Sequence, residues 1–179
     1  MKKIFNQIVS ESLFTSPSID ICRLISKNGL KSKRNEILSI LNESDVKYIK
    51  DYNENFLSII ITYIEISLND NAISQDEYNN IKFLKLLFSI SEGDFLKYKS
   101  ISEKVALIIK QQMSLIYEDD DKIDFEESIH KVKLQEIFGL GYDDFLLLSK
   151  DAVLKAIQRG GKLSELDTFI NKESDSKSD

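Results

Sequence analysis

The chain has 179 residues with one proline, six glycines and a single cysteine, and its formal net charge is −6. This length suits one domain with a sizeable core, and a single cysteine excludes an internal disulfide framework, which fits a reducing compartment. Residues 1–50 hold 9 basic and 5 acidic side chains (+4), whereas residues 51–150 hold 10 basic and 19 acidic ones (−9). An acidic centre argues against nucleic acid as the main ligand.

Helices are predicted along the whole chain, because glycine and proline are scarce and no stretch shows the alternating pattern of paired strands. Near the N-terminus, serine before proline is typical of a helix start, and Asn-Gly is typical of a helix end. The helices predicted there cover Lys2–Phe14, Ser16–Lys27 and Asn35–Leu41, and a long helix is predicted to start at Ser44-Asp45.

The long helix contains the apolar run Phe56–Leu68. This run is shorter than the ~20 apolar residues that span a bilayer, and no hydrophobic signal region follows the N-terminus, so we expect a soluble, cytoplasmic protein without a membrane span. Polar residues follow one narrow stripe of the helix, which predicts that its other faces are buried. The stripe consists of Glu54, Ser58, Thr62, Glu65 and Asn69. Glu65 is either a surface carboxylate or part of an acidic cluster with Asp70.

The stretches 56–99 and 106–149 align without a gap when the chain is shifted by 50 residues. The shift pairs Asp70 with Asp120, Glu77 with Glu127, Leu84 with Leu134, Phe88 with Phe138 and Asp94 with Asp144. Each copy alone would leave an apolar face uncovered. We therefore predict an all-α fold: a compact single-domain helical bundle with two pseudo-symmetric repeats that pack face to face around one core.

This alignment also sets the predicted domain organisation. Residues 1–50 form an N-terminal helical extension that packs on the core, and residues 51–170 form the domain that contains the repeats. Within it, one long helix is predicted from Asp94 to Tyr117 and a last short one over Ser164–Ile170. Residues 171–179 have the composition of a disordered tail.

The acidic turns that open the second helix of each repeat have two interpretations. Ser74 with Glu77 matches a capping box, and Asp124 with Glu127 is the same device with aspartate as the cap. Alternatively, Glu77 points along an apolar face and residues 118–121 crowd further carboxylates beside the second turn, which favours a hard cation such as Ca²⁺ or Mg²⁺. An EF-hand is excluded because the loop lacks the required glycine.

Three other features of the sequence are candidate sites. His130 is the single histidine, without a second histidine or cysteine for zinc, so a structural role is predicted. Cys22 lies in an apolar helical run and is predicted to be a small core residue. A basic cluster near the Gly29 turn is either a solvated loop or a contact for phosphate, nucleic acid or an acidic partner. The cluster comprises Lys27, Lys31, Lys33 and Arg34.

The acidic turns also resemble the repeated signature of TerB-like domains, which has an aspartate-glycine turn, a hydrophobic-small pair and a glutamate three residues on. The matching residues are Asp70-Asn71, Ile73-Ser74 and Glu77 in the first copy and Asp120-Asp121, Ile123-Asp124 and Glu127 in the second. Leu140-Gly141 before Asp144-Phe145 is similar to that family's second unit. The resemblance covers roughly residues 54–150, and Asn71 and Asp121 stand where the family usually has glycine.

This resemblance implies a compact all-helical fold with internal pseudo-symmetry. It further implies a non-catalytic module of tellurite and stress resistance, phage defence or membrane-linked assemblies, in which the paired acidic turns are candidate metal sites. The residues carried over to a divalent-cation site are Asp70, Glu77, Asp120 and Glu127.

The function expected from the sequence is therefore a binding or scaffold module that recognises a protein partner and is tuned by Ca²⁺ or Mg²⁺, with a homodimer left open. Two alternatives come from other classes. One is an enzyme whose carboxylates hold Mg²⁺ for phosphoester chemistry. The other is an accessory protein that contacts nucleic acid through the basic cluster.

Overall fold

The computed structural model describes residues 1–46, 48–119 and 125–161. Within them the chain is helical and contains no strand, as predicted, and no described helix is both long and apolar enough to cross a membrane. The α-helices are α1 (Lys2–Ser10), α2 (Ser18–Asn28), α3 (Arg34–Glu43), α4 (Asn53–Ser67), α5 (Gln75–Phe88), α6 (Asp94–Lys97), α7 (Lys99–Asp119), α8 (Phe125–Phe138) and α9 (Tyr142–Gln158). They form two compact units, Met1–Lys104 and the residues from Val105 onward.

Helix α4 lies at the centre of the first unit. Its buried residues occupy every face except the predicted polar stripe, along which Glu54 and Glu65 are exposed and Ser58 and Thr62 are half-buried. The burial prediction for this helix is therefore confirmed. Because so little of α4 reaches solvent, the helices around it are held mainly by apolar contacts with it.

Aromatic side chains join α4 to its neighbours. The ring of Phe5 in α1 lies 5.6 Å from that of Tyr63, and Phe88 at the end of α5 stacks on Phe56 with 4.4 Å between ring centroids. Such pairs contribute about 0.5–1.5 kcal/mol beyond the burial of their area. They fix α1 and α5 against the central helix, together with Cys22 of α2, which is fully buried as predicted.

Ser44-Asp45 does not start the long helix. The pair follows the last turn of α3 instead: Asp45 adopts a left-handed conformation with φ of 60°, and the N–H of Val46 donates to the carbonyl of Leu41 at 3.0 Å. This closure ends α3, and a 3₁₀ turn over Ile49–Tyr52 precedes α4. Serine and aspartate favour a helix start, but the hydrogen bond from Val46 to Leu41 makes this pair a helix end.

The helix predicted from Asp94 to Tyr117 is divided at Tyr98, whose backbone is extended (φ −106°, ψ 124°). At the start of the short helix α6, Asp94 Oδ2 accepts from the N–H and the hydroxyl of Ser91, each at 2.7 Å. Lys97 donates to the other carboxylate oxygen at 2.5 Å. Burial works to raise the pKa of Asp94, but the hydrogen bonds from Lys97 and Ser91 outweigh it, so its pKa lies below the ordinary value.

The second unit contains α8 and α9, and α8 has the same length as α5 and begins 50 residues later. The ends of these two helices also correspond. Ser89 and Gly139 both adopt left-handed conformations (φ 59° and 62°), and the next residue's N–H closes each helix with a hydrogen bond to the carbonyl five positions earlier. Asp143 and Asp144 lie in the first turn of α9, where negative charge is favourable to the helix dipole. The predicted last helix over Ser164–Ile170 and the tail lie outside the described residues.

Candidate functional site

The first acidic turn connects α4 to α5. Asn71 takes the left-handed conformation that the tight turn needs (φ 65°, ψ 9°), and Asp70 Oδ1 accepts from the N–H of Ala72 at 3.4 Å. Asp70 is exposed. Its carboxylate therefore supports the turn from the solvent side.

Ser74 and Glu77 form the predicted capping box. Ser74 Oγ accepts from the N–H of Glu77 at 3.2 Å, while Glu77 Oε2 accepts from the N–H of Ser74 at 3.0 Å and from its hydroxyl at 2.7 Å. One oxygen of Glu77 is thus fully engaged in opening α5. Helix-capping chemistry accounts for the position of this glutamate.

Glu77 also lies close to a buried phenol of α4. The hydroxyl of Tyr63 accepts from the side-chain amide of Asn80 at 3.1 Å. Burial, with the negative charge of Glu77 adding to it, raises the pKa of Tyr63 to about 12. The first turn is therefore built over a neutral polar contact between α4 and α5.

The second acidic turn is only partly described. Asp120 and Asp124 lie outside the described residues, whereas Glu127 is half-buried in the first turn of α8 and takes part in further interactions. Within the described parts of the chain, no three or more His, Cys, Asp or Glu side chains are grouped so that they could hold a metal ion. Of the four residues predicted to bind a cation, Asp70 and Glu77 lie at the two sides of the first turn. Glu127 lies in the first turn of α8, and Asp120 lies outside the described residues.

His130 is held inside the second unit by α7. Its Nε2 lies 2.8 Å from Oε1 of Gln112, and both side chains are buried. Because a carboxamide oxygen only accepts, the tautomer that satisfies this pair carries its proton on Nε2. This geometry matches the predicted structural role of the histidine. The 50-residue shift pairs His130 with Asn80, whose side-chain amide makes a comparable hydrogen bond to the hydroxyl of Tyr63.

Nothing in the sequence distinguishes Lys131 from a solvent-exposed lysine of α8. It exposes 3% of its surface, although the 50-residue shift places it on the apolar Ile81. A buried ammonium group is tolerated only where polar groups compensate it, and Lys131 does make further interactions. The second unit therefore buries a charged side chain at the position where the first unit buries an isoleucine.

An apolar strip runs along α9 on the side opposite to its buried residues. The buried face carries Phe145, Ser149, Ala152 and Ala156. The strip, named here the α9 strip, consists of Leu147, Leu154 and Ile157, and all three are exposed, Leu147 by 71%. An i, i+7, i+10 spacing keeps them on one face of the helix.

Two side-chain contacts join α9 to α7 beside this strip. Lys110 Nζ lies 3.3 Å from Asp151 Oδ2, and Arg159 donates to the carbonyl oxygen of Tyr117. The two contacts occur in the same order along both helices, so the helices run in the same direction. Leu107, one turn before Lys110 on α7, is also exposed. The sequence pattern alone does not reveal this surface, because the same spacing also suits a buried face.

Comparison with known proteins found no match to a protein-family model, to a curated protein or to a solved structure. The likeness to TerB-like domains therefore depends on the sequence signature around Asp70, Glu77, Asp120 and Glu127.

Proposed function

We propose that this chain is a non-catalytic helical binding module of TerB-like type that recognises a protein partner through the α9 strip. The observation that carries the proposal is the run of three exposed apolar side chains, Leu147, Leu154 and Ile157, on one helix face. Contiguous exposed apolar surface is the usual mark of a protein interaction site, whereas single exposed leucines are ordinary.

The chemistry of the partner follows from the edges of the strip. Lys150 and Lys155 are exposed on α9 beside the apolar residues, and so are Asp143 and Asp151. An apolar strip bordered by charges of both signs suits an amphipathic helix that presents apolar side chains at helical spacing and charged residues along its rim. The partner we propose is a protein with such a helix, and the same surface on a second copy of this chain is the alternative that the experiment separates.

Interaction through the strip is tested with Leu147→Glu, which places a charge on its most exposed residue. The matched control is Leu86→Glu on α5, because Leu86 is similarly exposed (79%) but lies in the first unit. Proteins that co-purify from the native cell with the wild-type chain and the Leu86→Glu control, but not with Leu147→Glu, should then bind the purified chain directly. Identical recovery with all three proteins would contradict the proposal.

A homodimer is separated by measuring mass in solution with light scattering. If the strip joins two copies, the wild-type chain and the Leu86→Glu control dimerise with rising concentration and Leu147→Glu stays monomeric. A monomer at all concentrations, together with direct binding to a captured protein, assigns the strip to a different partner.

The proposal includes tuning by Ca²⁺ or Mg²⁺ at Asp70, Glu77, Asp120 and Glu127. It is supported by the exposed Asp70 carboxylate in the first turn and by the acidic composition of the second. Calorimetric titration with each cation should give saturable heat with the wild-type chain and none with Asp120→Asn/Glu127→Gln. Unchanged heat in that variant would remove the cation from the proposal.

The proposal also treats residues 56–99 and 106–149 as two copies of one unit. It is supported by the equal lengths of α5 and α8 at a 50-residue offset and by the corresponding closures at Ser89 and Gly139. An experimental structure in which the surroundings of Asp70 and Asp120 differ would contradict it.

A further inference from the structure

Five basic side chains of the first unit lie at one end of α1, α2 and α3. The N-terminus of α1 meets the C-terminus of α2 there, because Lys2 Nζ donates to the carbonyl oxygen of Lys27 at 2.6 Å. Helix α3 starts five residues after Gly29, at Arg34. The basic side chains of this end, named here the basic end, are all exposed: Lys2, Lys27, Lys31, Lys33 and Arg34.

The backbone at Gly29 holds the basic end together. Gly29 has φ of +59°, a conformation that side-chain-bearing residues rarely adopt, and a Cβ at this position would lie 3.1 Å from Cε of Lys2. The lysine therefore lies across the turn that joins α2 to α3. Its ammonium group is positioned beside the cations of that turn by a fixed contact rather than by chance proximity.

Within residues 1–46, the cations of this end outnumber the acidic side chains there by five to one. Of the five acids in residues 1–46, Glu36 is at the basic end, and its two oxygens accept from the N–H of Lys33 at 2.7 Å and from Asn28 at 3.2 Å. Asp20 lies nine residues before Gly29 along α2, and Glu43 lies nine residues after Arg34 along α3. Each separation is roughly 13 Å at 1.5 Å per residue. That exceeds the screening length of about 8–10 Å at physiological salt.

An exposed leucine lies among these cations. Leu30, in the 3₁₀ turn Gly29–Lys31, exposes 61% of its surface and is flanked in sequence by Lys27, Lys31 and Lys33. No aromatic side chain occurs in residues 27–36 to stack on a nucleic acid base. Basic residues around an apolar side chain are the arrangement that binds anionic lipid, where cations approach headgroups and the apolar group enters the acyl boundary.

We propose that the basic end docks this protein on an anionic membrane surface, with Leu30 inserted between lipid headgroups that Lys27, Lys31, Lys33 and Arg34 contact. This surface belongs to the first unit and is separate from the α9 strip of the second, so the two proposals are tested independently. Bound in this way, the chain would present its protein-binding module at the membrane while remaining outside the bilayer.

The test is co-sedimentation of the full chain with vesicles of phosphatidylcholine, with and without phosphatidylserine. The wild-type chain is expected to bind the vesicles that contain phosphatidylserine and not those of pure phosphatidylcholine. Binding should weaken as salt rises from about 0.1 M to about 1 M, which shortens the screening length from about 10 Å to about 3 Å.

Variants separate the two parts of the docking surface. Lys31→Gln/Lys33→Gln should weaken binding by about fivefold for each charge, on the order of 25-fold together. Leu30→Gln should weaken it several-fold without a change of charge. Lys99→Gln/Lys104→Gln is the matched control, because both lysines are exposed on α7 and their removal changes the net charge equally.

Four results would contradict the proposal. Failure of the wild-type chain to bind phosphatidylserine vesicles would refute it, as would an equal loss in the control double variant. Unchanged binding by Leu30→Gln would refute the insertion of Leu30 between the headgroups. Tighter binding to a single-stranded oligonucleotide than to vesicles would assign the basic end to nucleic acid. Circular dichroism of each variant verifies that it is folded.

Discussion

The capping box of α5 allows its structural role to be measured separately from a role in cation binding. In Ser74→Ala the hydroxyl that accepts from the N–H of Glu77 at 3.2 Å is lost, while the bond from the Ser74 N–H to the carboxylate can remain. Loss of such a cap costs about 1 kcal/mol, within a range of roughly 0.5–2 kcal/mol. With a urea m value of about 2 kcal/mol/M, the denaturation midpoint should fall by about 0.5 M.

Glu77→Gln perturbs the same turn in a complementary way. The amide oxygen can still accept from the N–H of Ser74, so the main loss is the favourable negative charge at the helix N-terminus, worth less than about 1 kcal/mol. If Glu77 is a cation ligand, this variant loses Ca²⁺ or Mg²⁺ binding and Ser74→Ala keeps it. The assays are urea denaturation followed by circular dichroism and titration calorimetry.

The control for the serine substitution is Ser39→Ala. Ser39 is exposed within α3, and its hydroxyl bonds the carbonyl of Asn35 without capping the helix. Alanine is the better helix former there, so the midpoint should stay or rise slightly. Equal midpoints for Ser74→Ala and the wild-type chain would refute the capping role, and equal losses at Ser74 and Ser39 would show that the assay reports a general effect of the hydroxyl.

Three further predictions test the core and its charges. Phe88→Ala should lower the free energy of unfolding by about 3–5 kcal/mol because Phe88 is fully buried, whereas Leu86→Ala, at an exposed site, should stay within about 0.5 kcal/mol; denaturation curves that shift equally would contradict this. The lowered pKa of Asp94 adds stability above the ordinary carboxyl pKa of about 4, and this contribution is lost as pH falls through the lower folded value. Asp94→Asn should therefore flatten the acid side of a plot of stability against pH, and an unchanged slope would count against it. Burial raises the pKa of Cys22 to about 12, so its thiol should react with a thiol reagent at neutral pH only after unfolding, and rapid labelling of the native chain would show that the site is open.

The predictions that succeeded rest on residues close together in sequence. Ser74 and Glu77 are three positions apart, and their hydrogen bonds are made within one turn whatever surrounds it. Likewise, the polar stripe of α4 follows from helical periodicity, which fixes which side chains share a face. The left-handed Asn71 follows from the tight turn between two such helices.

The misplaced boundaries share a different cause. Ser44-Asp45 carries side chains that suit a helix start, but the hydrogen bond from Val46 to Leu41 makes it a helix end. No proline or glycine marks the break at Tyr98. In both places, several backbone paths satisfy the local chemistry, and packing selects one of them.

The sequence by itself determined that the chain is helical, where α5 is capped and which faces of α4 are apolar, because these depend on interactions within a few residues. The tertiary structure decided that Leu147, Leu154 and Ile157 remain exposed, that Lys131 is buried, and that Lys2 joins the cations beside Gly29. Such outcomes depend on which helices lie next to each other, and an amphipathic pattern gives the apolar face of a helix without giving what covers it.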